Sequence, residues 1–320
     1  MSFQFIKCHG SGNDFIMLEE SQLPEAWGPQ EIAQFARLVS DRQGHLGSDG
    51  VLIVAPSTRF DGKMVMYNSD GSRSEMCGNG MRCVARFLFE KTGRDQLMVE
   101  SGLGVVPCRR QADIFQGVYT VSVIINPVNL QAETVPVHYP VPQILNHPMP
   151  EMDQNATFTA LSIPNPHLIS IQSEIDRERL LQWGETVKER QDIFPRGINV
   201  SMVKVLGKNR IFVMTNERGC GITQACGTAM SSSAYVSCLQ GLCDYASPVE
   251  VQSEGGITFC QVENPESDQV LLTGNATYVY QGLIEMESLE KGLWHVAQKT
   301  MIPREQQQYE AMVRQFRKAS

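Results

Sequence analysis

The chain has 320 residues, 42% of them hydrophobic, and 27 Lys and Arg stand against 35 Asp and Glu for a net charge of −8. That length supports two ordinary domains with cores of their own, while the acidic balance, without a basic stripe, argues against a nucleic-acid partner. No apolar run approaches a membrane span, and the opening Met1-Ser-Phe-Gln-Phe-Ile-Lys-Cys lacks the apolar stretch of a signal peptide, so a cytoplasmic protein without membrane attachment is expected.

In chain order, residues 3–7 and 15–18 read as short strands around the loop His9 to Asp14, whose glycines let backbone approach a ligand and whose Asn13 points into whatever the loop lines. A helix from about Gln30 to Ser40 places Ile32, Phe35, Ala36 and Val39 on one face. The glycine-rich loop Asp41 to Gly50 tempts a phosphate-cradle reading, but it lacks the Gly-Lys-Ser/Thr ending and leads into the apolar strand Val51 to Ala55, so nucleotide binding is rejected. Lys63 to Tyr67 reads as a strand delivering Asn68 to a turn. Val99 to Val106 and Val118 to Ile125 alternate like strands, and the prolines between 126 and 160 mark the inter-domain crossing. Thr159 to Ile163 is a strand leading into Pro164-Asn165-Pro166-His167, where a proline on each side restricts Asn165. A charged helix over Arg177 to Glu189, strands at Asn199 to Val205 and Arg210 to Thr215, and late strands at Leu271 to Tyr280 and Leu283 to Met286 follow. Near the end, Tyr309, Met312, Val313 and Phe316 recur at helical spacing over Glu305 to Lys318.

Two stretches echo one another. Asn68 to Arg82 contains Met-Cys-Gly-Asn-Gly-Met-Arg, Glu217 to Ala229 ends in Ala-Cys-Gly-Thr-Ala, and each cysteine stands at the mouth of a helix, one running to Gly93 and the other toward Gly241. Helix N-termini present unpaired N–H groups and a positive dipole end, which attract carboxylates and favour a thiolate. Two such mouths around one amino acid would set a sulfur on either side of its α-carbon, the geometry for moving a proton across a stereocentre. Nine cysteines without a Cys-x-x-Cys pair disfavour a disulfide framework and a zinc site, so no metal is expected. Cys8, Cys83, Cys108, Cys220, Cys238, Cys243 and Cys260 read as small buried hydrophobes.

These motifs resemble the two cysteine signatures of the diaminopimelate epimerases, cofactor-independent amino-acid epimerases. The likeness extends to His9-Gly-Ser-Gly-Asn13-Asp14-Phe15, Asn68-Ser-Asp-Gly, Pro164-Asn165-Pro166-His167 and Gly197-Ile-Asn199, in family order over roughly residues 3 to 287. The resemblance implies an α/β (α+β) fold of two similar domains, each a mostly antiparallel sheet or barrel wrapped around a central helix. Residues 1–125 with about 277–288 would form the Cys77 domain, 126–276 the Cys226 domain, and 289–320 an extension with an amphipathic helix. It further implies interconversion of LL- and meso-diaminopimelate for lysine and peptidoglycan precursors, without a cofactor. Cys77 and Cys226 would be the acid/base pair, and Gly78, Asn79, Gly227 and Thr228 would hold the α-carboxylate. Asn68, Asn165, Asn199 and Arg218 would grip the distal end, with Asn13 and Glu217 also binding substrate and His167 as an accessory. Departures from the family pattern are His45 and Pro164, each where glycine is usual, and Ala229 where glycine usually follows Cys-Gly-Thr. They leave as alternatives a two-cysteine racemase of another amino acid such as histidine, and an amino-acid-binding or regulatory protein on the same fold. The terminal helix has three candidate roles: covering the chain's own surface, self-association into a homodimer, or binding another protein.

Overall fold

The computed structural model describes residues 1–318, so the last two residues of the 289–320 segment lie outside the described residues. Contacts divide the chain into two compact units, Met1–Val123 with Gly274–Ser320, and Ile124–Thr273. By this division the 289–320 segment belongs to the first unit.

The first unit begins as a hairpin. Ser2–Gly10 pairs antiparallel with Asn13–Glu19 across a two-residue turn, Ser11-Gly12, in which both residues have positive φ (54° and 81°), as a tight hairpin turn matching strand twist requires. Asn13–Glu19 runs parallel to Gly50–Ala55, and helix α1 (Pro29–Ser40) lies in the crossover. Gly50–Ala55 is antiparallel to Gly62–Asn68, which meets the two-residue strand Arg73–Ser74 and then runs parallel to Gln96–Ser101 across helix α2 (Gly78–Thr92). The hairpin partner of Gln96–Ser101 is Gly104–Gln111.

The second unit repeats this order. Asp153–Ser162 and Pro166–Ile171 form the first hairpin, and Pro166–Ile171 is parallel to Asn199–Gly207 across helix α3 (Arg177–Glu189). Asn199–Gly207 is antiparallel to Arg210–Glu217, which meets the short Gly221–Thr223 and then runs parallel to Val249–Gln252 across helix α4 (Gly227–Leu239). Ile257–Gln261 closes the series. The two units thus share one topology, and equivalent stations can be matched: Asn13 with Asn165, the end of Gly62–Asn68 with the end of Arg210–Glu217, and Cys77 with Cys226.

The helices after the cysteines are the inner ones. Eleven of the fifteen residues of α2 and twelve of the thirteen of α4 are buried. Full burial suits α4 because its inner run is Ser231-Ser232-Ser233-Ala234, small enough for strands to approach from all sides. The hydroxyls of Ser231 and Ser237 donate back to the carbonyls of Gly227 and Ser233, which satisfies them inside the core. Gly93, with φ of 69°, terminates α2 in the left-handed conformation that glycine adopts without strain. The outer helices pack on one face only. Phe35 and Val39 of α1 join Phe3, Ile16 and Val51, whereas Leu180, Trp183 and Val187 of α3 join Phe158, Phe194 and Val200. Each such fully buried side chain contributes about 1.5–3 kcal/mol of transfer free energy.

Three elements differ from the sequence expectation. Val99 to Val106 is not one strand but the halves of a hairpin that turns at Gly102-Leu103, because alternation continues through a tight turn without a break in pattern. The late strands divide at Ala276 rather than after Tyr280, giving Val270–Asn275 and the long Thr277–Ser288. Leu293–Met301 is an additional strand paired with Thr277–Ser288, and it was hidden because one face is solvent-exposed and polar. The extension then ends in helix α5 (Pro303–Lys318), whose Tyr309 and Met312 are buried with Val118 and against Ile114 and Phe115 of the same unit. Among the described residues no helix is long and apolar enough to cross a membrane.

Candidate active site

Each cysteine is the N-cap of the inner helix of its unit, with extended backbone leading into the first turn. In the first unit the Gly80 N–H donates to Cys77 Sγ at 3.4 Å. The thiol faces Asn13 Oδ1 at 3.7 Å, and Asn79 Nδ2 donates to that same oxygen at 3.2 Å. Asn13 is aimed by its other end, where Nδ2 donates to Asp49 Oδ2 at 2.7 Å. Asp49 and Asp14 are in turn neutralised by Arg42, and Lys7 pairs with Asp14. The structure therefore brings Asn13, Cys77 and Asn79 together, with Gly78 opening the helix between them.

Beneath this group lies Arg82, wholly buried on α2. It donates to Asn275 O at 3.0 Å, Ser11 Oγ at 3.1 Å and Asn79 Oδ1 at 3.0 Å, tying the first hairpin turn to the helix mouth. Gly10 is required there, since a Cβ would stand 2.8 Å from Arg82 Nη2 and 2.9 Å from the Asn79 carbonyl. Asn68, at the end of its strand, donates to Ser72 Oγ at 2.9 Å.

In the second unit the polar chain runs through a histidine. His167 is fully buried, and its Nε2 lies 3.1 Å from both Asn165 Oδ1 and Thr228 Oγ1. Thr228 Oγ1 is also 3.4 Å from Cys226 Sγ. Burial, with the positive charge of Arg218 added, pushes the His167 pKa down to about 3, so the ring is neutral at ordinary pH. Its Nδ1 has no hydrogen-bond partner, which a bare lone pair tolerates better than an N–H would, so the proton belongs on Nε2. With Nε2–H donating to Asn165 or Thr228, the Thr228 hydroxyl is left to donate to the sulfur.

Burial pushes the Cys226 thiol well above its ordinary value, and the carboxylate of Glu217 pushes it further. The Thr228 hydroxyl and the Ala229 N–H at the helix end act the other way. Glu217 is held by the hydroxyl of Thr223 across the short hairpin that carries Arg218. Asn199 is buried beside His167 in the parallel pair, and its Oδ1 accepts from the Arg218 N–H at 3.0 Å. The Arg218 guanidinium is exposed and donates to Arg196 O at 3.2 Å. The structure thus joins Asn165, His167, Thr228 and Cys226 in one chain and groups Asn199, Glu217 and Arg218 around the hairpin.

Sequence reasoning missed the residues that aim these groups: Asp49, Arg82, Asn275 and Thr223. Arg82 lay inside the quoted motif, and an arginine one turn into the helix, directly before the apolar Cys83-Val84-Ala85, was the available signal. His45, the departure in the glycine-rich loop, is exposed and meets Trp294 edge-on at 4.9 Å between ring centroids. Its ring packs on the strand of the extension, which gives the substitution a local partner. Among the described residues no cluster of three or more His, Cys, Asp or Glu side chains could hold a metal ion.

Comparison with known proteins agrees with these stations. A family model described as diaminopimelate epimerase matches residues 5–118 and 159–279. A diaminopimelate epimerase of Clostridium acetobutylicum is 36% identical over 289 residues, covering 90% of this chain and 87% of the relative. One from Listeria innocua is 35% identical over 325 residues, covering 99% and 97%, so the likeness there takes in the C-terminal extension as well. Among solved structures, a PhzF-family phenazine biosynthesis protein of Bacillus anthracis superposes with a TM-score of 0.64 at 12% identity, covering 89% of this chain and all of that one. A hydroxyproline epimerase of Agrobacterium vitis with bound trans-4-hydroxy-L-proline superposes with a TM-score of 0.61 at 15% identity, covering 88% and 90%. These structural likenesses speak to fold, whereas the sequence matches over most of the chain settle membership: the chain belongs to the diaminopimelate epimerase family.

Proposed function

We propose that the protein is an isomerase that interconverts LL- and meso-diaminopimelate, with Cys77 and Cys226 as the two acid/base groups. The observation that carries this reading is the repetition itself: the same topology in both units delivers one cysteine to the N-cap of each buried inner helix. Family membership and the names of the relatives supply the substrate, and they favour neither a histidine racemase nor a binding protein.

In this mechanism one sulfur, as thiolate, takes the α-proton from one face of the substrate. The resulting carbanion-like centre receives a proton on the opposite face from the other sulfur, a thiol, and the centre is inverted. The first sulfur ends as the thiol and the second as the thiolate, and the reverse reaction exchanges the roles. Burial and Glu217 favour the protonated form of Cys226, the form needed in a proton donor. Once it has given its proton, the Thr228 hydroxyl and the Ala229 N–H stabilise the thiolate. The helix mouths at Gly78-Asn79 and Gly227-Thr228 receive the α-carboxylate, whose negative charge grows as the proton leaves. Asn68, Asn165, Asn199 and Arg218 hold the distal amino-acid end, where the Arg218 guanidinium can grip a carboxylate through two parallel hydrogen bonds.

A substrate panel tests the reading. Dialysed, reduced protein given LL-diaminopimelate, L-histidine, L-lysine or L-proline should form only the meso isomer of diaminopimelate, as read by chiral chromatography. Turnover of lysine or histidine at a comparable rate would remove the need for a distal carboxylate and with it this assignment.

A further inference from the structure

The C-terminal helix touches the first unit at a chemically specific point. Beyond the apolar seat of Tyr309 and Met312, Glu305 accepts from both terminal nitrogens, Nη1 and Nη2, of the buried Arg86 of α2. The next residue places Gln306 Oε1 3.0 Å from His9 Nε2, and one turn on the Tyr309 ring meets the His9 ring edge-on at 4.6 Å between centroids. Gln306 Nε2 donates to Glu310 at 3.0 Å, which leaves its oxygen facing the histidine.

His9 is buried, and its surroundings assign its single ring proton. The Gly12 N–H donates to Nδ1 at 3.2 Å, so Nδ1 carries the lone pair and Nε2–H donates to Gln306. Gly12 is half of the left-handed Ser11-Gly12 turn, and the next residue is Asn13. Asn275 completes the support by accepting from the Ser11 N–H at 2.8 Å, while its Nδ2 lies 3.2 Å from His9 O and 3.3 Å from His9 Nδ1. An unbroken series of contacts therefore runs from α5 through the imidazole to the turn, and from the turn through Asn13 to the Cys77 sulfur. The equivalent turn of the second unit, Ile163 to Asn165, is closed by its own Ile163 N–H to Asn165 O bond at 2.9 Å.

We propose that Gln306, with Tyr309 behind it, is a positioning residue for Cys77: it accepts from His9 Nε2–H and holds the ring in place, so that Nδ1 meets the Gly12 N–H of the Ser11-Gly12 turn and keeps Asn13 against the sulfur. The proposal rests on the assignment of Cys77 as an acid/base group, and its local part is measurable without turnover.

The test compares the full-length protein with Gln306→Ala and with the double variant Gln306→Glu/Glu310→Gln, which restores an oxygen toward His9 and reverses the donor between the two side chains. Cys77 and Cys226 are alkylated with iodoacetamide and quantified by peptide mass spectrometry, and the His9 tautomer is read from ¹⁵N NMR. In Gln306→Ala the Cys77 rate should rise about threefold against the Cys226 rate, because the thiol loses a neutral hydrogen-bond acceptor. The His9 ring should keep the Nε2–H form, since Gly12 and Asn275 still face Nδ1 as donors, while its Nε2 signal shifts with the loss of the acceptor. In the same variant kcat should fall about tenfold with KM little changed, as expected for a misplaced acid/base group. The double variant should recover all three. An unchanged ratio of Cys77 to Cys226 alkylation in Gln306→Ala overturns the relay, as does a double variant that fails to recover it. Full turnover by Cys77→Ala would instead overturn the assignment of Cys77, leaving the alkylation and NMR results to judge the relay alone.

Discussion

Thr228→Val isolates the hydroxyl between His167 and Cys226. Valine keeps the shape of the side chain, and His167 Nε2 retains Asn165 Oδ1 at 3.1 Å, so the buried ring is not stranded and folding should change by less than about 1 kcal/mol. The sulfur, at 3.4 Å from Oγ1, loses a donor that matters only when it is charged. A hydrogen bond to a charged group is worth roughly 1.5–3 kcal/mol, and its loss raises further a thiol pKa already raised by burial and Glu217. Because the thiolate fraction grows with pH, the pH profile of the direction in which Cys226 is the base should move to higher pH. Its rate at neutral pH should fall ~10–100-fold. The assay is the initial rate from each isomer across pH, with the alkylation midpoint of Cys226 measured in parallel and Thr228→Ser as the control that keeps the hydroxyl. An unmoved alkylation midpoint in Thr228→Val, with the protein folded, would refute the reasoning.

Three other outcomes follow from the same geometry. Burial lowers the pKa of His9 to about 4 and of His167 to about 3, from the ordinary 6.5, so the unfolded chain binds protons that the folded chain refuses. This contribution to stability is fully present above pH 6.5 and is lost as pH falls toward 4 and 3, at up to about 1.4 kcal/mol per pH unit for each histidine. Urea unfolding at pH 7 and pH 5 should show it, and His167→Gln should flatten the difference. Gly10→Ala drives a methyl against the Asn79 carbonyl and Arg82, and should cost about 1–3 kcal/mol in urea unfolding while lowering turnover, whereas wild-type stability would show that the helix mouth yields freely. Arg218→Lys keeps the charge but cannot form two parallel hydrogen bonds, so KM for diaminopimelate should rise with kcat little affected. An unchanged KM would leave the exposed guanidinium with only its contact to Arg196.

How legible this was in the sequence depended on the range of the interactions. The inner helices were readable because a cysteine before Gly-Asn-Gly or Gly-Thr is a local signal, as are Gly93 and the apolar spacing that follows Cys77. The hairpins were readable where alternation broke at a turn, and unreadable at Gly102-Leu103, where it did not. Leu293–Met301 escaped because only Trp294 and Val296 give it an apolar face; their two-residue spacing was the available clue. The groups that aim the site were less accessible. Asp49 reaches Asn13, Arg82 reaches Asn275 and Gln306 reaches His9 across separations that no periodicity encodes. The central place of α4 came from the family resemblance and not from its composition, since a run of serines reads as surface until strands close around it. His45 illustrates the converse: judged against the loop alone it is an anomaly, and its partner Trp294 lies about 250 residues away.

The central claim is that two thiols divide one proton exchange, and solvent deuterium tests it most directly. Reduced protein is incubated with LL-diaminopimelate in deuterium oxide, and the isomers and their α-deuterium are followed by chiral chromatography and mass spectrometry, with Cys77→Ala and Cys226→Ala alongside. The account predicts that early meso product carries solvent deuterium at the inverted centre while unreacted LL substrate does not, and that each single variant forms no meso isomer. Meso product formed at the wild-type rate by either variant would contradict it.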